Sequence, residues 1–150
     1  MTESEIDIRP LRRYDVGQYL RLLAQLSDVG DDWTCAKREA VFDEIDNNSA
    51  FQRIYVAVDS NNRVLGAITL LLERKFLHGG AIAAHIEDVV VDSSARGRGL
   101  GKRLVQHVVR EAKKQNAYKV ILNCSSNVKS FYASCGFLDL KNVQMRISVK

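Results

Sequence analysis

Apolar positions along the chain change their period several times, and each change marks an element. Ile6 to Arg9 reads as a short strand. Val16, Tyr19, Leu20, Leu23 and Leu26 recur at helical spacing, with Asp15 placed to cap them. Thr34 stands where it would cap a second helix whose apolar stripe is Val41, Phe42 and Ile45. Two apolar runs of strand length, Ile54 to Val58 and Val64 to Leu72, flank Asp59-Ser60-Asn61-Asn62. That tetrapeptide is turn chemistry, so the pair predicts an antiparallel hairpin. Ala81 to Val91 predicts a further strand ending in the β-branched run Val89-Val90-Val91. Leu100, Leu104, Val108 and Ala112 predict a helix from Gly99 to about Gln115; Tyr118 to Asn123 follows as a strand and Val128 to Ser134 as a short helix. Near the C-terminus Val143, Met145, Ile147 and Val149 alternate with Gln144, Arg146, Ser148 and Lys150. A period of two predicts a half-buried strand there. The order β-α-α-β-β-β-α-β-α-β predicts an α/β sandwich around a mixed sheet.

Composition narrows the class. The 150 residues, 46% hydrophobic and 27% charged, suit one globular domain over residues 1–150, without repeats or linkers. No apolar run is long enough to span a bilayer, and the opening residues, with Glu3, Glu5 and Asp7, lack the apolar core of a secretory leader. The expectation is a cytoplasmic protein with no membrane partner. A microbody location stays open, although the ending Ile147-Ser148-Val149-Lys150 is not of the S-K-L type. Three cysteines, Cys35, Cys124 and Cys135, with no CxxC spacing, read as reduced thiols and give no metal site. The net charge of +4 is uneven: residues 1–50 carry 6 basic and 11 acidic side chains, residues 101–150 carry 10 and 2. The C-terminal third is therefore suited to an anion, either nucleic acid or a phosphorylated small molecule. It has neither an aromatic-rich RNA-binding motif nor a groove-reading basic helix, so no nucleic-acid partner is expected.

The strand ending at Val91 runs into Asp92-Ser93-Ser94-Ala95-Arg96-Gly97-Arg98-Gly99-Leu100-Gly101-Lys102 and then a helix. Helix N-terminal amides attract anions, and glycines let backbone approach a phosphate closely. Arg96, Arg98, Lys102 and Arg103 add positive charge. The segment thus reads as a pyrophosphate cradle; the alternative is a glycine turn with no ligand. A dinucleotide fingerprint fails because Lys102 stands where its third glycine belongs, and a P-loop fails because Arg103 follows Gly101-Lys102. Arg96, Gly99 and Gly101 fit R-x-x-G-x-G. This resembles the coenzyme A signature of the GNAT acetyltransferases. Phe131-Tyr132-x-x-Cys135-Gly136-Phe137 resembles a second segment of that superfamily. The resemblance implies a mixed, mostly antiparallel central sheet flanked by helices. It also implies acetyl-CoA as cosubstrate and Tyr132 as general acid to the departing thiolate.

Within the superfamily, Glu73 to His78, His85-Ile86-Glu87-Asp88-Val89-Val90-Val91 and Tyr118 to Leu122 look like the glucosamine 6-phosphate N-acetyltransferases. The likeness runs from about Glu73 to Phe137, with an echo at Leu26 to Gly30. It implies an amino-sugar phosphate acceptor, a homodimer paired through its C-terminal segments, and direct transfer in a ternary complex. Coenzyme A contacts are then implied for Val89, Val91, Arg96, Gly97, Arg98, Gly99, Leu100, Gly101, Lys102, Asn127 and Tyr132. Glu87 and Asp88 are implied beside the amine, with a catalytic part. Since neighbouring strand residues face opposite ways, both reach one site only across a bulge. Ser27, Lys75, His78, Tyr118 and Lys119 match acceptor contacts, and Arg146 substitutes for the family's C-terminal arginine. Asn123 departs from an acidic residue common in the family. Rival readings are another amine acceptor (a protein N-terminus, a polyamine or an aminoglycoside) and a ping-pong enzyme acylated on Cys124 or Cys135.

Overall fold

The computed structural model describes residues 6–149; Glu3, Glu5 and Lys150, used above, lie outside them. The elements in chain order are β1 (Asp7–Pro10), α1 (Val16–Leu23), α2 (Cys35–Asn47), β2 (Gln52–Val58), β3 (Val64–Arg74), the irregular turn α3 (Leu77–Gly80), β4 (Ile82–Val91), α4 (Leu100–Lys114), β5 (Ala117–Ile121) and α5 (Lys129–Ser134). The sheet runs β1-β2-β3-β4-β5. All neighbours are antiparallel except β4 and β5. This is the mixed α/β sheet that the element order predicts, and the mostly antiparallel one that the family resemblance implies.

Alternation along β2 divides the core. Tyr55 and Ala57 face one side, where Leu100, Leu104, Val105, Val108 and Ala112 of α4 pack. Ile54, Val56 and Val58 face the other, against Tyr19 and Leu22 of α1. The period-2 strand and the 3.6-period helices thus meet face to stripe. β3 is buried over most of its length because both layers cover it.

Three local expectations fare differently. Thr34 caps α2, its side chain accepting from the Lys37 N–H at 3.1 Å. Asp15 precedes α1 but makes no side-chain cap. Its backbone is already helical (φ −79, ψ −19), whereas an N-cap side chain reaches the helix from an extended residue. The carboxylate turns back instead, accepting from Arg9 Nη1 at 2.7 Å, Arg9 Nη2 at 3.1 Å and the Arg12 N–H at 2.8 Å. The third expectation, a last strand, is wrong. Residues 138–149 form no strand, and Val143, Met145, Ile147 and Val149 are 84–90% exposed. Alternation records which side chains a strand would bury, but a strand also needs a neighbour for its backbone. Among the described residues this segment has none.

Candidate active site

Parallel pairing of β4 with β5 is short, covering Ile82 to His85 opposite Ala117 to Ile121. Beyond it the strands separate. Among the described residues the β4 edge from Ile86 to Val91 then has no strand partner on that side, so backbone polar groups face the opening. A cavity of about 790 Å³ occupies it. Glu87, Asp88, Val89 and Val91 line one wall, the turn from Ala95 to Lys102 lines the end, and Leu122 to Ser125 with Phe131 and Tyr132 line the far wall.

The glycines of the turn do different jobs. Gly97 and Gly99 have φ of +74 and +76 with nothing within 4 Å of where a Cβ would stand. They serve a left-handed backbone that brings the first amides of α4 toward the cavity. Gly101 has no such φ; a Cβ there would meet Phe131 Cζ at 3.2 Å and Val91 Cγ2 at 3.7 Å. It lets α4 pack against α5, and it also lines the cavity. Arg96 and Lys102 line the cavity, and Arg96 Nε also donates to the Val91 carbonyl at 2.9 Å. Arg98 is exposed and stands outside the lining. Arg103 points away, donating to the Ile6 carbonyl at 2.9 Å.

Across the cavity, the half-buried Tyr132 ring packs edge-on to Phe131 (4.9 Å) and Phe137 (6.2 Å). Burial pushes its hydroxyl above the usual pKa of 10, reinforced by the Cys124 and Cys135 thiols. The phenol is thus protonated at neutral pH. It has no hydrogen-bond partner among the described residues. Cys124 shares the cavity, but no histidine lines it, so the ping-pong reading lacks the imidazole that commonly activates such a thiol.

Glu87 and Asp88 sit at a bulge. Ala67 pairs with Val90 and Thr69 with Glu87, so Asp88 and Val89 together stand opposite Ile68. Asp88 takes φ +49, and both carboxylates are exposed. The bulge supplies what strict alternation denies. Asp88 also borders a second cavity, of about 690 Å³, between the sheet and the helices α1 and α2. Leu20, Leu23, Trp33, Phe42 and Ile45 wall it; Tyr19 and Thr69 lie at its Asp88 end. Tyr19 hydrogen-bonds Thr69 and is pushed up to about 12, first by burial and then by the Asp88 charge. Sequence reasoning missed this space because the Val41, Phe42 and Ile45 stripe marks an apolar face without saying how closely it packs. No residue of α2 is fully buried.

The remaining candidates lie elsewhere. Lys75, His78, Tyr118 and Lys119 gather at the opposite end of β4. There the Lys75 N–H donates to the Ala81 carbonyl at 2.9 Å, His78 stacks on Tyr118 at 4.2 Å and Lys119 Nζ lies 5.4 Å from the Tyr118 ring centre. Lys75 Nζ is held by Glu73 at 2.5 Å, and Glu73 also meets His85 Nε2 at 3.2 Å. Lys119 is level with Ala83, five residues from Asp88, which along a strand is roughly 17 Å. One chain does not bring this cluster to Glu87 and Asp88. Ser27 and Arg146 line neither cavity, nor does Asn127 in its 3-10 turn; Leu26, Asn123 and Ser125 line the first instead. The missed wall, Leu122 to Ser125, carries only the faint signal of following a parallel strand.

A family model described as "Acetyltransferase (GNAT) family" matches residues 22–137. Glucosamine 6-phosphate N-acetyltransferase 1 of Oryza sativa subsp. japonica is 44% identical, with 92% of this chain and 84% of that protein covered. Glucosamine 6-phosphate N-acetyltransferase 1 of Dictyostelium discoideum is 32% identical, covering 98% and 93%. The crystal structure of the Arabidopsis thaliana glucosamine-6-phosphate N-acetyltransferase superposes with a TM-score of 0.90 at 35% identity, covering 97% of this chain and 99% of that one.

Proposed function

The chain belongs to the GNAT acetyltransferase family, and we propose that it transfers acetyl from acetyl-CoA to the amine of D-glucosamine 6-phosphate. The product, N-acetyl-D-glucosamine 6-phosphate, would feed UDP-N-acetylglucosamine synthesis. The observation that carries this reading is the opening between β4 and β5. It joins a glycine turn, a protonated Tyr132 and a carboxylate bulge in one cavity.

The residues present fit acetyl-CoA. Turn amides at Gly97 to Lys102, with Arg96 and Lys102, suit its pyrophosphate. The unpaired β4 edge at Val89 and Val91 suits its amide-bearing arm and offers a backbone N–H to an oxyanion. Acetyl-CoA supplies the activated acyl group. Asp88, bordering both cavities, takes the ammonium proton through water, with Glu87 beside it. The freed amine then forms a C–N bond at the acetyl carbonyl as the C–S bond breaks; Tyr132 gives its hydroxyl proton to the leaving thiolate and is reprotonated by the proton that the new amide nitrogen sheds. Holding both reactants together supplies much of the acceleration.

The separated cluster of Lys75, His78, Tyr118 and Lys119 bears on assembly. We read the working unit as a homodimer in which a second copy uses its uncovered C-terminal segment as the interface. Arg146 on that segment, and the distant cluster, then serve the sugar phosphate of the neighbouring site. Sedimentation is expected to give a dimer; a fully active monomer would refute it.

A second reading has one observation in its favour. The apolar walls of the second cavity, including Trp33 and Phe42, suit an acceptor larger or less polar than a sugar phosphate. Acetyl-CoA turnover with glucosamine 6-phosphate, glucosamine, a polyamine, an aminoglycoside and a peptide decides between them. Charge-assisted contacts are worth about 1.5–3 kcal/mol each, so losing two of them predicts a preference for the phosphate ester of hundreds-fold. Lys119→Ala should erode that preference. Equal rates on glucosamine, or faster ones on a peptide, would leave only the family assignment.

A further inference from the structure

We propose that Gln25 is a positioning residue that couples occupancy of the glycine turn to order in residues 26–34, the segment leading to α2. The side-chain amide of Gln25 closes two hydrogen bonds across the molecule: its Nε2 donates to Asp92 Oδ2 at 2.9 Å, and its Oε1 accepts the Ser93 N–H at 3.0 Å. Those two residues open the turn that carries Gly97 and Gly99. Asp92 is tied into the turn itself. Its carboxylate, 17% exposed, also accepts from the Ser94 N–H at 3.0 Å and from the Ser94 hydroxyl, and it meets Arg63 at 3.4 Å.

A second glutamine does the same at the start of α1. Gln18 Nε2 donates to the Asn62 carbonyl at 3.0 Å, and its Oε1 accepts the Val64 N–H at 3.0 Å. The helix is thus pinned to the β2–β3 turn by one amide and to the cofactor turn by the other. After Gln25 the tethering stops. Every described hydrogen bond made by residues 26–34 is local, to partners between Leu23 and Arg38. Leu26 lines the same cavity as the glycine turn, and Trp33, near the end of the segment, lines the second cavity beyond Asp88.

A ligand on the turn fixes Asp92 and Ser93, which fixes Gln25 and shortens the free stretch that walls the acceptor side. Coupling of this kind is reciprocal: whatever orders residues 26–34 also favours the ligand-bound turn. The inference rests on reading the turn as the coenzyme A site, and the test separates the two.

Hydrogen exchange of residues 26–34 is followed with and without saturating coenzyme A, its binding checked by calorimetry. In the wild-type protein, exchange should slow by about fivefold or more, the lower range for coupling between sites. Gln25→Leu keeps the size and removes both bonds, and should lose that slowing with coenzyme A still bound. Gln18→Leu, removing the same pair of bonds at the far end of α1, should retain it, which controls for simple loosening of the helix. Leu26→Ala tests direct contact with the ligand. Unchanged slowing in Gln25→Leu, or loss in Leu26→Ala alone, overturns the coupling and leaves the cofactor site standing. Failure of coenzyme A to bind the wild-type protein overturns both.

Discussion

Gly101→Ala sets two effects of known sign against each other. As the second residue of α4, Gly101 costs about 1 kcal/mol relative to alanine in helix formation. The added Cβ would stand 3.2 Å from Phe131 Cζ, 3.4 Å from Phe131 Cε2 and 3.7 Å from Val91 Cγ2, so the ring must yield by a few tenths of an ångström. Overpacking of this kind costs about 1–3 kcal/mol. Phe131 is only half-buried and sits on a six-residue helix with no buried residue, which favours the lower half of that range. The net is a loss of about 0–1 kcal/mol, or up to roughly 4 °C in the thermal midpoint. Catalysis should suffer more. Phe131 packs against Tyr132 at 4.9 Å, so the proton donor moves with it, and misplacement by about 1 Å costs on the order of a hundredfold. A few tenths therefore predict a several-fold fall in kcat, with the KM for acetyl-CoA nearly unchanged. Gly101→Val should be worse in both respects. Thiol release at saturating acetyl-CoA, paired with a thermal melt, measures both terms. A rise in KM alone at constant kcat would mean that the glycine serves the phosphate after all. An unchanged kcat with a raised midpoint would mean that Phe131 does not transmit the strain.

Tyr132→Phe should lower kcat by about a hundred- to ten-thousand-fold. Because burial raises the Tyr132 pKa, the acid stays competent past pH 10 and any alkaline limb lies above that value; a wild-type rate falling near pH 9 would implicate another group. Asp15→Ala strands Arg9 in a site where Asp15 is fully buried and Arg9 nearly so. It should cost about 3–5 kcal/mol, seen as a lower urea midpoint; a loss under about 1 kcal/mol would show that Arg9 finds water instead. Asp92 is depressed from 3.8 to about 2, first by the Ser94 hydroxyl and then by Gln25. A depressed carboxylate stabilises above its unfolded value and loses that contribution as pH falls through the folded one. Asp92→Asn should therefore lower stability at pH 6 but make little difference near pH 2, and equal losses at both would refute the ionic account.

Much of the fold is written in local periodicity. The stripe Leu100, Leu104, Val108, Ala112 and the turn Asp59 to Asn62 each needed only neighbours within a turn or a hairpin, and each stands as read. Thr34 likewise caps the helix that follows it, through an N–H three residues on. Asp15 shows the limit: its residue type suits a cap, yet a guanidinium six residues earlier competes for the same carboxylate and wins. The site was legible in part. Glycine spacing and the Phe131-Tyr132 pair marked two walls of one cavity, since each lies within a short segment. The second cavity left no trace, because a helix that stands off its sheet has the same stripe as one pressed against it.

By itself, the sequence determined the element order as far as α5 and the glycine turn between β4 and α4, which follow from side-chain periods and backbone propensities that act over a few residues. The resemblance to the GNAT acetyltransferases added Tyr132 as the residue to look for beside that turn. Tertiary structure alone decided the rest. It splayed β4 from β5 beyond His85, put the bulge at Asp88, and packed Gly101 against Phe131. It also held Lys119 roughly 17 Å from Asp88, on strand rise alone, and left Val143 to Val149 without a partner. Each of these depends on which surfaces meet across long separations. A period of two along a segment says which side chains seek cover, and only a neighbouring strand decides whether they find it.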